Sequence, residues 1–246
     1  QVVAHRPGDE ALLYQAAVDV LVDLHGKPVP QEIQLPDGSH YPVPPYDIDL
    51  MMREAHLFTD WYLPETLDAT PPPEIRSSFD ALWRDVLGQL PPHDPVLVLR
   101  DYHADNLIWL PERGGLARVG LLDFQDAVAG HPAYDLVSLL EDARRDVPET
   151  LAEAMVERYV KGVQAPDSNF DEAAFRTAYA ILGAQRNTKI IGIFTRLWRR
   201  DGKPAYLDLI PRVWGLLERD LEDPALSAVR KWFDAQVPPE CRRTPL

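Results

Sequence analysis

The stretch 96-VLVLRDYHADNLIWLPERGGLARVGLLDFQDAVAGHPAYD-135 decides the fold. Residues 96–99 read as a short buried strand, apolar throughout and β-branched at Val96 and Val98. A polar loop follows, carrying Arg100, Asp101, His103, Asp105 and Asn106. Strand character resumes over 107–110, and 111–115 has turn chemistry. Residues 116–123 read as a second strand, with Asp123 following the apolar pair Leu121 and Leu122. The expectation is that hairpin strands deliver Asp101, Asn106 and Asp123 to one end of one small sheet.

Those three side chains suit one kind of chemistry. A carboxylate at the start of a tight loop accepts a proton from an attacking hydroxyl, which is the reading for Asp101. The bland alternative is an Asp that caps a turn. Asn106 and Asp123 offer hard oxygens, which Mg²⁺ takes when phosphate oxygens and water complete its shell. Asp, four residues, Asn, a hairpin, then Asp-Phe is the spacing of the catalytic loop and metal-binding Asp in kinases.

Beyond this core, DFQDAVAGHPAYDL (residues 123–136) resembles the aminoglycoside phosphotransferase and choline kinase superfamily, which phosphorylates small-molecule hydroxyls with ATP. The runs from Leu99 and Asp126, QRNTKIIGIF from Gln185 and PRVWGLLE from Pro211 resemble its bacterial branch of N-acetylmuramate and N-acetylglucosamine anomeric kinases, which serves cell-wall recycling. The resemblance implies ATP and Mg²⁺ as cofactors, an amino sugar as acceptor and an α+β, protein-kinase-like fold. Asp101 would be the base, and Asn106 and Asp123 would hold the metal. His103 stands where protein kinases carry a phosphate-contacting Lys. It either donates to phosphate or holds the loop. Gln125 replaces a Gly of protein kinases and would touch phosphate or sugar. Asp135 resembles the buried Asp that pins the catalytic loop, with Arg100 in support.

The acceptor wall would come from helices. Arg186, Lys189, Arg196 and Arg200 fall within about a quarter of a helical circumference. They would meet a sugar carboxylate or pair with the chain's acids. Arg53 and Glu54, with His56 and Asp60 near Trp61, form a second polar set, and Asp126 lies at the cleft mouth. Within the same superfamily, an aminoglycoside, choline or another hydroxyl acceptor is an alternative. A non-catalytic substrate-binding lobe is another.

At 246 residues with 46% hydrophobic content the chain can bury one large core or two smaller ones. The net charge of −14 argues against general binding of nucleic acid or an anionic membrane. The lone Cys241 excludes an intramolecular disulfide and suits a reducing cytoplasm. The leading QVVAHRPG lacks signal-peptide architecture. No Gly-rich strand–loop–strand appears, and no strand Lys to face a helix Glu. The whole of 1–246 is therefore expected to be a mostly helical C-terminal lobe, without its N-terminal lobe and poor at phosphate transfer alone. Helices are expected over 10–24, 46–62, 74–90, 132–145, 149–163, 170–200 with a break near Gly183, 206–221 and 224–235. The first is expected to bury Ala11, Leu12, Ala16, Ala17, Val20, Leu21 and Leu24. The Pro-rich 27–45 reads as irregular.

Overall fold

A computed structural model describes residues 7–165 and 169–243. The leading stretch read above for signal-peptide character falls largely outside them. Two compact units emerge: unit 1 from residues 1–46 and 93–173, and unit 2 from 47–92 and 174–246.

Unit 1 begins with α1 (Glu10–His25). Glu10 complements the positive helix N-terminus, and Gly26 ends the helix by donating to the Val22 and Leu24 carbonyls. Tyr14, Ala17, Val18 and Leu21 form its buried stripe. Ala11 and Leu12, expected inside, are exposed. Leu12 lies about 160° round the helix from Tyr14, which leaves it on the far face. α6 (Glu149–Gln164) packs on α1 so closely that a Cβ at Gly162 would lie 2.8 Å from a Val22 methyl. Arg158 forks onto both Asp19 oxygens at 2.7 Å, and His25 Nδ1 meets the Tyr159 hydroxyl at 2.7 Å.

The strands are three residues each: β1 (Glu32–Gln34), β2 (His40–Pro42), β3 (Val96–Val98), β4 (Leu107–Trp109), β5 (Val119–Leu121) and β6 (Val128–Gly130). They pair antiparallel as β1–β2, β3–β6 and β4–β5. The single sheet expected around the 96–123 loop is thus two separate ladders. β3 takes Val128, Ala129 and Gly130 as partners because the loop after Leu99 carries the chain away before β4 begins. Gly130 permits this, since a Cβ there would sit 2.9 Å from Tyr46 Cβ. The 27–45 stretch is not wholly irregular, because it holds the β1–β2 hairpin. Its turn is set by Asp37, whose carboxylate accepts from the Ser39 amide, and by Gly38 at φ 83°. α5 (Ala133–Leu140) ends earlier than its sequence suggests.

Unit 2 contains α2 (Ile48–Leu57), a wider π-helical turn over Phe58–Tyr62, α3 (Leu63–Leu67) and α4 (Pro73–Gly88). It also holds all but the first two residues of α7 (Glu172–Asp201), then α8 (Ile210–Asp220), α9 (Ser227–Gln236) and α10 (Pro239–Arg242). Asp47 caps α2 by accepting from the Leu50 amide. Pro64 sits in the first turn of α3, where no backbone donor is needed. Phe58, Phe79, Trp214 and Phe233 cluster edge-on and stacked with centroids 5.3–6.1 Å apart. α7 runs unbroken through Gly183. The glycine makes room for the Asp220 carboxylate, which accepts from Asn187 Nδ2 at 2.9 Å. No helix among the described residues is long and apolar enough to cross a membrane.

Two glycines make opposite predictions. A Cβ on Gly192 would stand 2.2 Å from the Leu57 carbonyl carbon, whereas one on Gly215 meets nothing within 4 Å. Gly192→Ala is expected to cost about 1–3 kcal/mol or more through overpacking. Gly215→Ala is expected to gain up to about 1 kcal/mol from helix propensity. Urea midpoints of the two variants check both signs.

Candidate active site

The site loop of unit 1 starts where β3 ends. Asp135, fully buried on α5, accepts from the Leu99 amide at 2.6 Å and the Arg100 amide at 2.9 Å. Ser138, one turn on, donates to the Arg100 carbonyl at 3.2 Å. Those bonds hold Arg100 in the left-handed region at φ 69°, a conformation costing a non-Gly residue about 1–3 kcal/mol. The next residue, Asp101, is exposed. Its carbonyl accepts from the His103 amide at 3.0 Å and from Asn106 Nδ2 at 2.9 Å. Asn106 therefore braces the loop from within, and its Nδ2 also lies 3.4 Å from His103 Nε2.

Asp123 comes to the same loop through the β4–β5 ladder. The Leu122 amide donates to the Asn106 carbonyl at 2.9 Å, one step beyond the Leu107–Leu121 pair. Asp123 follows at φ 56°, a second strained non-Gly residue, and its carboxylate accepts from Gln125 Nε2 at 2.6 Å. The return segment is tied back by Arg100, whose Nη1 donates to the Asp126 carbonyl at 3.5 Å. Hydrogen bonds thus tie the loop of Asp101, His103 and Asn106 to the return segment of Asp123, Gln125 and Asp126, and Asp135 holds the loop's first residues from its buried position. Sequence reading missed Ser138 and Tyr46. The first was findable as the residue one helical turn from Asp135. Tyr46, whose ring lies 5.9 Å from the Arg100 guanidinium, carried no local signal.

The helical candidates lie in unit 2. Arg53 is exposed, while Glu54, Arg186 and Lys189 are buried. Lys189 Nζ meets Glu54 Oε1 at 2.8 Å, and Gln185 Nε2 donates to the Met51 carbonyl at 2.9 Å. The basic stripe is not continuous, because Arg200 is exposed and forks onto Asp201 instead. His56 and Asp60 engage Asp80 and Arg76 of α4.

Hard oxygens from Asn106 and Asp123 fit a divalent cation that draws the rest of its shell from phosphate and water. Asn106 Nδ2 is committed to the loop, which leaves Oδ1 as the amide's donor atom toward a cation. Among the described residues no group of three or more His, Cys, Asp or Glu side chains forms a cage of its own.

The sequence profile of the phosphotransferase enzyme family matches residues 3–178. The chain belongs to the phosphotransferase enzyme family. The chain is 45% identical over 236 residues to a Caulobacter vibrioides protein named N-acetylmuramate/N-acetylglucosamine kinase, covering 96% of this chain and 63% of that one. It is 36% identical over 221 residues to a Pseudomonas aeruginosa protein of the same name, covering 86% of this chain and 59% of that one. The chain therefore spans less than two thirds of either relative's length. A crystal structure of a choline/ethanolamine kinase family protein from Mesorhizobium loti superposes with a TM-score of 0.54 at 16% identity, over 95% of this chain and 67% of that one. The chain thus shares the kinase-like fold of that protein, mostly helical with small sheets.

Two predictions concern the support of this loop. Asp135→Asn turns one acceptor into a donor facing a backbone N–H. It is expected to cost about 1–3 kcal/mol and to speed hydrogen exchange at the Leu99 and Arg100 amides; unchanged exchange would dismiss the pin. The second concerns His131, which is buried ahead of α5 and accepts from the Ala133 amide at 3.1 Å. Burial, aided by His93 with its ring centroid 4.1 Å away, pulls its pKa down to about 3. The unfolded chain therefore binds the proton first, so the stability His131 contributes is complete above about pH 6.5 and drains away as pH falls toward 3. His131→Asn keeps an acceptor for Ala133. It should flatten the acid limb of stability by up to about 1.4 kcal/mol per pH unit, read from denaturation curves between pH 7 and about 4.

Proposed function

We propose that the protein is an ATP- and Mg²⁺-dependent kinase that phosphorylates the anomeric C1 hydroxyl of N-acetylmuramate and N-acetylglucosamine during peptidoglycan recycling. The carrying observation is the 45% identity, over 96% of this chain, with the Caulobacter vibrioides kinase of that name. The bonded loop and return segment that carry Asp101, Asn106 and Asp123 support the chemistry.

In this reading Asp101 accepts the proton of the sugar hydroxyl, and its backbone is braced by Asn106 so that the carboxylate keeps one aim. Asn106 and Asp123 would hold Mg²⁺, which when bound neutralises charge on phosphate oxygens. His103 and Gln125 would face the nucleotide phosphates. The contact of His103 with Asn106 also supports its role in holding the loop. Arg53, Glu54, Arg186 and Lys189 of unit 2 and, separately, Asp126 of unit 1 are the residues proposed to contact the acceptor. Lys189 would then reach a sugar carboxylate only by sharing its ammonium with Glu54. Residues 1–246 act as the catalytic and substrate lobe, and a nucleotide-cradling lobe is assigned to sequence outside them. The greater length of the relatives supports that assignment.

Incubating the intact protein with each sugar and ATP-Mg²⁺ should give sugar 1-phosphate. Asp101→Asn should lower turnover by about 10²-fold or more, with little change in KM for the sugar. Near-normal turnover would remove Asp101 as the base. Failure to phosphorylate either sugar while another hydroxyl acceptor is phosphorylated would remove the amino-sugar assignment alone.

A further inference from the structure

Lys189, Ile193, Arg196 and Arg200 follow one another on α7 at spacings of four, three and four residues, so they form one stripe of the helix within unit 2. Exposure rises along it, from buried Lys189 through half-buried Ile193 and Arg196 to exposed Arg200. Two of its three cations are committed. Lys189 Nζ meets Glu54 Oε1 at 2.8 Å, and Arg200 forks onto the two Asp201 oxygens at 2.7 and 3.0 Å. Arg199, just off the stripe, is held by Glu65. Arg196 differs from all of these. Among the described residues it makes no hydrogen bond and no ion pair, and its Nε is buried without an acceptor. Asp201 is near enough for its carboxylate to feel the Arg196 charge, but both of its oxygens already face Arg200.

A half-buried guanidinium with a buried, unmade donor is costly to keep. Its planar fork of five donors matches a carboxylate, and it is more weakly hydrated than an ammonium. Helical side chains lean toward the N-terminus of their helix, which brings Arg196 back over Ile193 toward Lys189. The two backbone positions lie about 10.5 Å apart along the axis. A sugar ring with a short acidic arm spans such a separation. Glu54 and Lys189 then offer an acceptor and donors to neutral ring substituents, while Arg196 takes the acid. Lys189 suits that acid less well, because Glu54 already neutralises it. The two sugars in the relatives' name differ in this respect: N-acetylmuramate is N-acetylglucosamine with one lactyl ether added, and hence one carboxylate.

We propose that Arg196 binds the lactyl carboxylate of N-acetylmuramate and so sets the preference between the two amino sugars, an inference that rests on the amino-sugar kinase reading above. Steady-state kinetics of the intact protein with each sugar, varied against saturating ATP-Mg²⁺, test it. Arg196→Gln is expected to lower the ratio of kcat/KM for N-acetylmuramate over N-acetylglucosamine by about 10-fold or more, the worth of a charged hydrogen bond. The loss should fall on the KM for N-acetylmuramate and not on kcat. Arg196→Lys keeps the charge without the fork and should lose a smaller share, about 3-fold. Neither variant strands a protein partner, so both melting temperatures should stay near the parent's, and Arg196→Lys carries the comparison should Arg196→Gln not fold. The inference alone is overturned if the parent protein phosphorylates N-acetylglucosamine but not N-acetylmuramate, if the ratio does not move in the folded variants, if both sugars weaken alike, or if the KM for ATP rises instead, which would put a nucleotide phosphate at Arg196. A parent protein that phosphorylates neither sugar removes the amino-sugar reading and this inference together.

Discussion

One carboxylate, that of Asp135, sets the conformation of the loop on which the proposed chemistry rests. It takes two consecutive backbone amides, Leu99 and Arg100, in a fully buried position. A carboxylate there is costly to desolvate and is repaid only by such charge-assisted bonds. Its grip lets Arg100 occupy a left-handed backbone that the residue would not choose, and the chain then turns so that Asp101 faces outward. Three non-Gly residues among those described have positive φ, Asp68, Arg100 and Asp123, and two of these lie in the site loop and its return segment. Strain is thus concentrated where side chains must point against the run of their strands.

The site loop was legible in sequence because its geometry is local. Asp101 and Asn106 share one loop, and a hairpin of ordinary length fixes where Asp123 returns. Strand pairing was not legible. A three-residue strand such as β3 carries no register of its own, and its partner at Val128–Gly130 is chosen by Tyr46 packing and by the absence of a side chain at Gly130. Gly183 misled for a related reason. A helix interior glycine reads as a weak point until the Asp220 carboxylate that needs its space is known. The β1–β2 hairpin has strands exposed along their whole length, so no alternation of apolar residues announced it.

The charged set of unit 2 shows how one composition serves two ends. Arg186 and Lys189 lie on a helix that is buried around most of its girth between Gly183 and Gly192. Sequence spacing placed them on one face but could not say what met them. Glu54, from α2, meets Lys189 within a site holding the Gln185 amide as well. Such a pair gains little over an apolar packing, yet losing one member strands the other. In the proposed function the same pair would also face a polar ligand, the acceptor sugar.

Unit 1 is interrupted in the chain by residues 47–92 of unit 2, which has a bearing on biosynthesis. The His25–Tyr159 contact that closes α1 on α6 spans 134 residues. At a translation rate of about 5–20 residues per second, α1 waits roughly 7–27 s for that partner to leave the ribosome. During that interval its apolar stripe of Tyr14, Ala17, Val18 and Leu21 has no native cover from α6. The nascent polypeptide therefore depends on chaperone shielding or on provisional contacts until the second half of unit 1 emerges.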